Sequence, residues 1–235
     1  GTAALNDYPR TRDSDFEESA ATLSRYGKII DLDAQTEEML LSKDRSFIFN
    51  IDRLDTDETA AQLQAASALA RQNREVVIPE VDAYVYGVMC TGAGNKPAAK
   101  ALTNTNIYTE ILDAEVPETG RVLVVTPAIY VLMKKCKDII METNVGNELR
   151  LQGVIGILDG MNVQKIPAAR LPEDFGFMVA HPCATVAPVK LEDYTVHENP
   201  PGISGSLVEG RICYGAFVLD NKKSAIYYQA QPASE

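Results

Sequence analysis

Long apolar runs are missing from this chain. No stretch approaches the roughly 18 consecutive apolar residues of a membrane span. No charged-then-apolar leader opens the sequence, which excludes a recognisable signal peptide. The first residue is Gly1 and not Met, which reads as a trimmed or processed edge. Cysteine is sparse: Cys90, Cys136, Cys183 and Cys213 stand far apart and form no CxxC pair. That spacing excludes a disulfide framework and the usual structural zinc sites, and predicts buried free thiols in a reducing compartment. Cationic side chains are outnumbered, 22 Lys and Arg against 33 Asp and Glu, for a formal net charge of −11. A surface this acidic repels phosphate at long range, so bulk nucleic-acid binding is not the main task, although local basic patches stay open.

The rest of the composition is that of a packed protein. The chain has 235 residues, 46% of them hydrophobic, which suffices for one large domain or two intimate ones. Residues 1 to about 30 carry charges of both signs and little apolar area, and read as an arm that orders on a partner or stays flexible. In KDRSFIFNID, residues 43–52, Phe47, Phe49 and Ile51 alternate with Ser46, Ile48 and Asn50, the period of a strand. Asp55, Thr56 or Asp57 can cap a helix beginning near residue 58. Residues 58–78 hold neither Gly nor Pro and are rich in Ala, Leu, Gln and Glu, which predicts the best helix of the chain. Pro79 should kink or break it, and the pattern resumes in EVDAYVYGVM. CTGAGNKPAAK, residues 90–100, reads as a link.

Mixed texture follows. Residues 104–116 are an amphipathic helix, RVLVV at 121–125 a buried strand, and Thr126-Pro127 the capped start of a short helix. Asp159-Gly160 lies between apolar runs and predicts a type I′ hairpin. FGFMVA, the stretch around CATVAPV, and two strands flanking Asp220–Lys223 complete the reading.

A search for chemistry returns little. No GxGxxG and no P-loop occurs, and GISGS at 202–206 places its second glycine one residue too early for a nucleophile elbow. His181 stands two residues from Cys183, a spacing that fits loop-edge packing better than a dyad. Asp52, Asp55 and Asp57 lack the glycine and terminal Glu of a calcium loop. Neither a catalytic residue nor a cofactor or metal site is expected, and a structural or binding role is favoured.

Several segments in order resemble one family: SKDRSFIFNIDRLDTDET (42–59), ARQNREVVIPEVDAYVYGVM (70–89), RVLVVTPAIYVLMK (121–134), GVIGILDGMNVQKIP (153–167) and AHPCATVAPVK (180–190), with a terminal YGAFVL. Together they are similar to the major capsid proteins of tailed phages and prophages of Gram-positive bacteria, which have the Johnson fold of the Hong Kong phage type. The resemblance implies an α+β architecture. Residues 1–58 would be an extended E-loop, 59–95 a peripheral domain with a long spine helix, 96–180 a mixed axial domain, and 181–235 return strands of the peripheral domain. The family's N-terminal arm and scaffolding region have no counterpart ahead of these residues.

The implied function is a self-assembling subunit of an icosahedral shell. It would form hexamers and pentamers, meet scaffolding and portal proteins, and enclose double-stranded DNA without reading its sequence. Assembly would take place in the host cytoplasm, without a membrane. Arg10, Arg12, Arg25 and Lys28 could meet acids such as Glu37 and Glu38 on another copy. Three rivals stay open: an encapsulin-like nanocompartment shell, an α+β enzyme with an unrecognised site, and a non-capsid module offering its acidic face to a basic partner.

Overall fold

The computed structural model describes residues 36–58, 64–114, 116–136 and 154–232. The chain divides into residues 1–38, of which only 36–38 are described and have no regular structure, and Met39–Glu235, which carries every element below.

Strand β1 (Lys43–Asp52) forms where the alternation predicts it, with Phe47, Phe49 and Ile51 less exposed than their neighbours. The chain then turns into α1 (Arg53–Glu58). The cap of this helix is Asp52 and not Asp55, Thr56 or Asp57 as expected: its Oδ1 accepts from the Leu54 N–H at 2.8 Å. The helix starts early because Asp52, the last residue of the strand, already has the extended backbone a cap requires.

Residues 65–92 are helical without interruption, as α2 (Ala65–Gln72), a π-helical turn (Asn73–Val77) and α3 (Ile78–Gly92). At 1.5 Å per residue this rod is about 40 Å long. Pro79 does not break it. A proline lacks the N–H that would bond the carbonyl four residues back, and its ring crowds that carbonyl. The turn ahead of it is widened instead, with the Ile78 N–H reaching the Asn73 carbonyl five residues back.

Two sheets flank the rod. The first is three-stranded and antiparallel, in the order β1, β8 (Gly205–Tyr214), β7 (Val189–Glu198). The second has five strands in the order β10 (Ile226–Ala230), β5 (Phe175–Ala180), β2 (Val122–Val125), β4 (Met161–Lys165), β3 (Val154–Leu158). Only β2 and β4 are parallel within it. A small pair, β6 (Thr185–Val186) with β9 (Phe217–Val218), lies between in sequence. The segment 181–235, expected as one set of return strands, thus divides: β7 and β8 pair in β1's sheet, whereas β10 pairs with β5.

The five-stranded sheet is covered on both faces, which explains its continuous apolar strands. Leu123, Val125, Phe177 and Val179 pack under α4 (Ile107–Leu112) and α5 (Pro127–Lys135) through Ile107, Ile111, Ile129 and Met133. The intervening Val124, Met178 and Ile226 face the end of α3 at Cys90. Helix α4 is shorter than the predicted 104–116. Helix α5 begins as predicted, with Thr126 Oγ1 accepting from the Ile129 N–H at 3.3 Å and Pro127 in the first position. Asp159 and Gly160 have φ of 46° and 75°, the type I′ turn that joins β3 to β4. Gln229, fully buried in β10, donates its amide to the Ala98 carbonyl at 2.9 Å and so ties the link after α3 to the sheet edge.

Candidate assembly surface

The rod's first half lies on the three-stranded sheet. Directly paired residues share a face, so Phe47, Phe49 and Ile51 of β1 stand with Val208, Gly210 and Ile212 of β8 and with Tyr194 and Val196 of β7. Phe47 and Tyr194 close over Gly210 from either side, ring centroids 6.0 Å apart. At the sheet's end the rod is fastened by polar contacts. Arg45 meets Glu80 at 2.6 Å, Ser42 and Tyr84 share a hydrogen bond of 2.8 Å, and Tyr84 sits edge-on to Tyr214. Burial pushes the Tyr214 phenol up from its ordinary range. Farther along, the Arg170 guanidinium donates to Asp82 at 2.7 Å, joining α3 to the 3-10 turn Ala168–Arg170 that follows β4.

The opposite face of this sheet carries a different set. Arg211 donates two hydrogen bonds to Asp44, at 2.9 and 2.6 Å, and holds its carboxyl below the usual carboxylate range. His197 and Glu209 share a contact of 2.8 Å. Ile48 stands 64% exposed among these polar groups. The edge strand β7 is exposed along most of its length. At the sheet's far end a groove of about 840 Å³ opens between α1 and the loop after β7, lined by Asp52, Asp57, Glu198 and Arg53 among others.

The contact expected between copies falls partly outside the described residues. Glu37 and Glu38 are exposed, and Arg10, Arg12, Arg25 and Lys28 lie outside the described residues. The His181 ring accepts from the Cys183 backbone N–H at 3.1 Å and so caps the short 3-10 turn Pro182–Ala184. Cys183 itself is exposed, which corrects the expectation of four buried thiols: it sits on a turn that leaves the sheet. Cys90 and Cys136 are buried, and desolvation pushes the Cys90 thiol up to about 12. Among the described residues no group of His, Cys, Asp and Glu is arranged to hold a metal ion, and no helix is long and apolar enough to cross a membrane. The edge strand β7 escaped the sequence reading because its ten residues mix Lys, Glu, Asp and Thr with Val, Leu and Tyr, and only Tyr194 and Thr195 of them are half-buried.

Neither a family model nor a curated protein sequence matches the chain. Solved structures do. A structure of Mycobacterium phage Che8 is similar over 88% of this chain and 78% of that one, at 16% identity and TM-score 0.64. The capsid of cyanophage P-SCSP1u is similar over 88% and 81%, at 14% identity and TM-score 0.58. A virus-like particle from Pyrococcus furiosus is similar over 80% and 75%, at 12% identity and TM-score 0.52. At such identities the likeness speaks for the fold, and the chain has the α+β Johnson-type fold of these shell structures.

Proposed function

We propose that this chain is a structural subunit of a phage capsid, assembling with copies of itself into capsomers and a closed shell around double-stranded DNA. The observation that carries the reading is the architecture shared with solved phage structures over 88% of the chain: a long helix joining a three-stranded sheet to a five-stranded sheet with helices on both faces. A shell subunit works through repeated modest contacts rather than through a reaction. The sheet with one face under the rod and one face bare supplies surface for such contacts. Residues 59–95 with β1, β7 and β8 would be the peripheral part, and the five-stranded sheet the axial part. The basic residues Arg10, Arg12, Arg25 and Lys28 would meet acids such as Glu37 and Glu38 of a neighbour. Scaffolding and portal proteins would be its heterologous partners. Assembly would occur in the host cytoplasm, and the virion would be the final location.

Expression of the chain, followed by light scattering and electron microscopy, tests the reading. Rings or closed shells are expected. A species that stays monomeric at high concentration, with and without a co-expressed scaffolding protein, would sink it. An encapsulin-like shell would hold cargo protein where a capsid holds DNA, and nuclease-protected DNA in the purified particles decides between them.

A further inference from the structure

The outer edge of β7 carries a defined row of backbone donors and acceptors. Antiparallel pairs alternate between those that exchange hydrogen bonds and those that do not. The Asn199 N–H bonds the Gly205 carbonyl at 2.8 Å, so the odd-numbered residues of β7, paired as Asp193 with Arg211, Thr195 with Glu209 and His197 with Leu207, are the ones bonded to β8. The other side of β8 agrees: Arg53 N–H bonds the Ser204 carbonyl at 3.1 Å, which assigns β8's even residues to β1. The N–H and C=O groups of Glu192, Tyr194, Val196 and Glu198 therefore point away from the sheet. No described strand lies on that side. Pro188 and Pro200 stand outside β7, and no proline interrupts it. A bulge between Val189 and Leu191 offsets the ladder at Lys190, and the regular edge from Leu191 to Glu198 is a template for another strand.

We infer that β7 pairs antiparallel with β7 of a second copy, across a two-fold axis at Tyr194, to make one six-stranded sheet. Avoidance of like charge selects this register over the two beside it. With Tyr194 opposite itself, Leu191 falls opposite His197, Glu192 opposite Val196 and Asp193 opposite Thr195, so no two carboxylates meet. Moving the axis to Asp193 puts two carboxylates face to face, and moving it to Thr195 puts Glu192 opposite Glu198 twice. An axis between residues would set outward groups of one copy against inward-turned groups of the other. The chosen axis also keeps the rod-covered face of both copies on one side, as a two-fold perpendicular to the sheet requires.

The inference deepens the shell-subunit reading by naming a copy-to-copy contact. A single strand edge buries less than the roughly 1,600 Å² of a typical stable complex, so the contact is weak alone and gains strength by repetition in a lattice.

Site-directed cross-linking of the full chain tests it, in a Cys183→Ser and Cys213→Ser background. Tyr194→Cys places two thiols on a pair whose Cα atoms are about 5.5 Å apart, inside disulfide reach. Leu191→Cys places them six residues out of step, about 20 Å apart. Mild oxidation should yield at least tenfold more covalent dimer from Tyr194→Cys. Glu192→Cys with Val196→Cys tests the same register without touching the Tyr194 ring. Val196→Pro removes an outward N–H while sparing the bonds to β8, and should cut the dimer at least fivefold with an unchanged circular dichroism spectrum. Equal yields at positions 191 and 194, or no dimer from both positive pairs, overturn the edge pairing. If shells still form in that case, the capsid reading stands without it. If the dimer forms and shells never do, the capsid reading falls and the edge pairing survives.

Discussion

Gly205 offers a sharp test of how the rod-bearing sheet is closed. It opens β8 with φ of 142°, a conformation that L side chains rarely adopt. A Cβ built there would lie 2.1 Å from the Ile51 carbonyl oxygen, 3.0 Å from the Arg53 nitrogen and 3.1 Å from the Asp52 Cα. All three belong to the backbone where β1 turns into α1, so none can swing aside as a side-chain end would. The same junction is pinned by the Arg53 N–H to Ser204 bond and by the Asp52 cap. Overpacking against a fixed neighbour costs about 1–3 kcal/mol, and holding alanine in this backbone conformation about another 1–3 kcal/mol. The sum, roughly 2–6 kcal/mol, is a large part of the about 5–15 kcal/mol that keeps a domain folded. At about 2–4 °C per kcal/mol for a chain of this size, Gly205→Ala should lower Tm by roughly 5–20 °C in a calorimetric or circular dichroism melt. Gly87→Ala is the control. It lies inside α3 with nothing within 4 Å of a new Cβ, and should gain about 0.5–1 kcal/mol. A Gly205→Ala melt within 2 °C of the parent, or equal shifts for both variants, would refute the steric account.

Two further outcomes follow from the side chains. In native protein a thiol reagent at neutral pH should label Cys183 first and Cys213 more slowly, while Cys90 and Cys136 react only after unfolding; mass spectrometry of tryptic peptides reads the order, and early labelling of Cys90 would contradict its burial. The Asp44–Arg211 pair predicts a small acid sensitivity: Asp44's folded pKa is depressed, so its contribution is present above the ordinary carboxylate range and fades as pH falls through the lowered value, below about pH 4. The urea midpoints of parent and Asp44→Asn should therefore differ slightly at pH 7 and draw together as pH falls below the ordinary carboxylate range, and a gap that stays constant with pH would count against the pair.

Much of the local structure was legible. Alternation marked β1 to the residue, Thr126-Pro127 marked the start of α5, and Asp159-Gly160 marked the β3–β4 turn, because each signal is carried by a few neighbouring residues whose backbone preference the tertiary structure had no reason to oppose. The failures were also physical. Pro79 reads as a kink or a break, and of the two the break does not occur: the preceding turn widens and the rod continues. Cys183 reads as buried because cysteine usually is, yet its turn faces solvent. The expected contact between basic and acidic residues of the first 38 lies outside the described residues on its basic side and is a matter for experiment.

By itself the sequence marked several of the segments that become helix and strand, β7 excepted, and it argued against several chemistries through what it lacks. Only the tertiary structure decided that β10 joins β5 while β7 joins β8, that the rod joins two sheets, and that β7 is left as an open edge. The physical reason is range: propensity, capping and turn chemistry act over a few residues, whereas strand order and exposed edges depend on which distant faces bury each other.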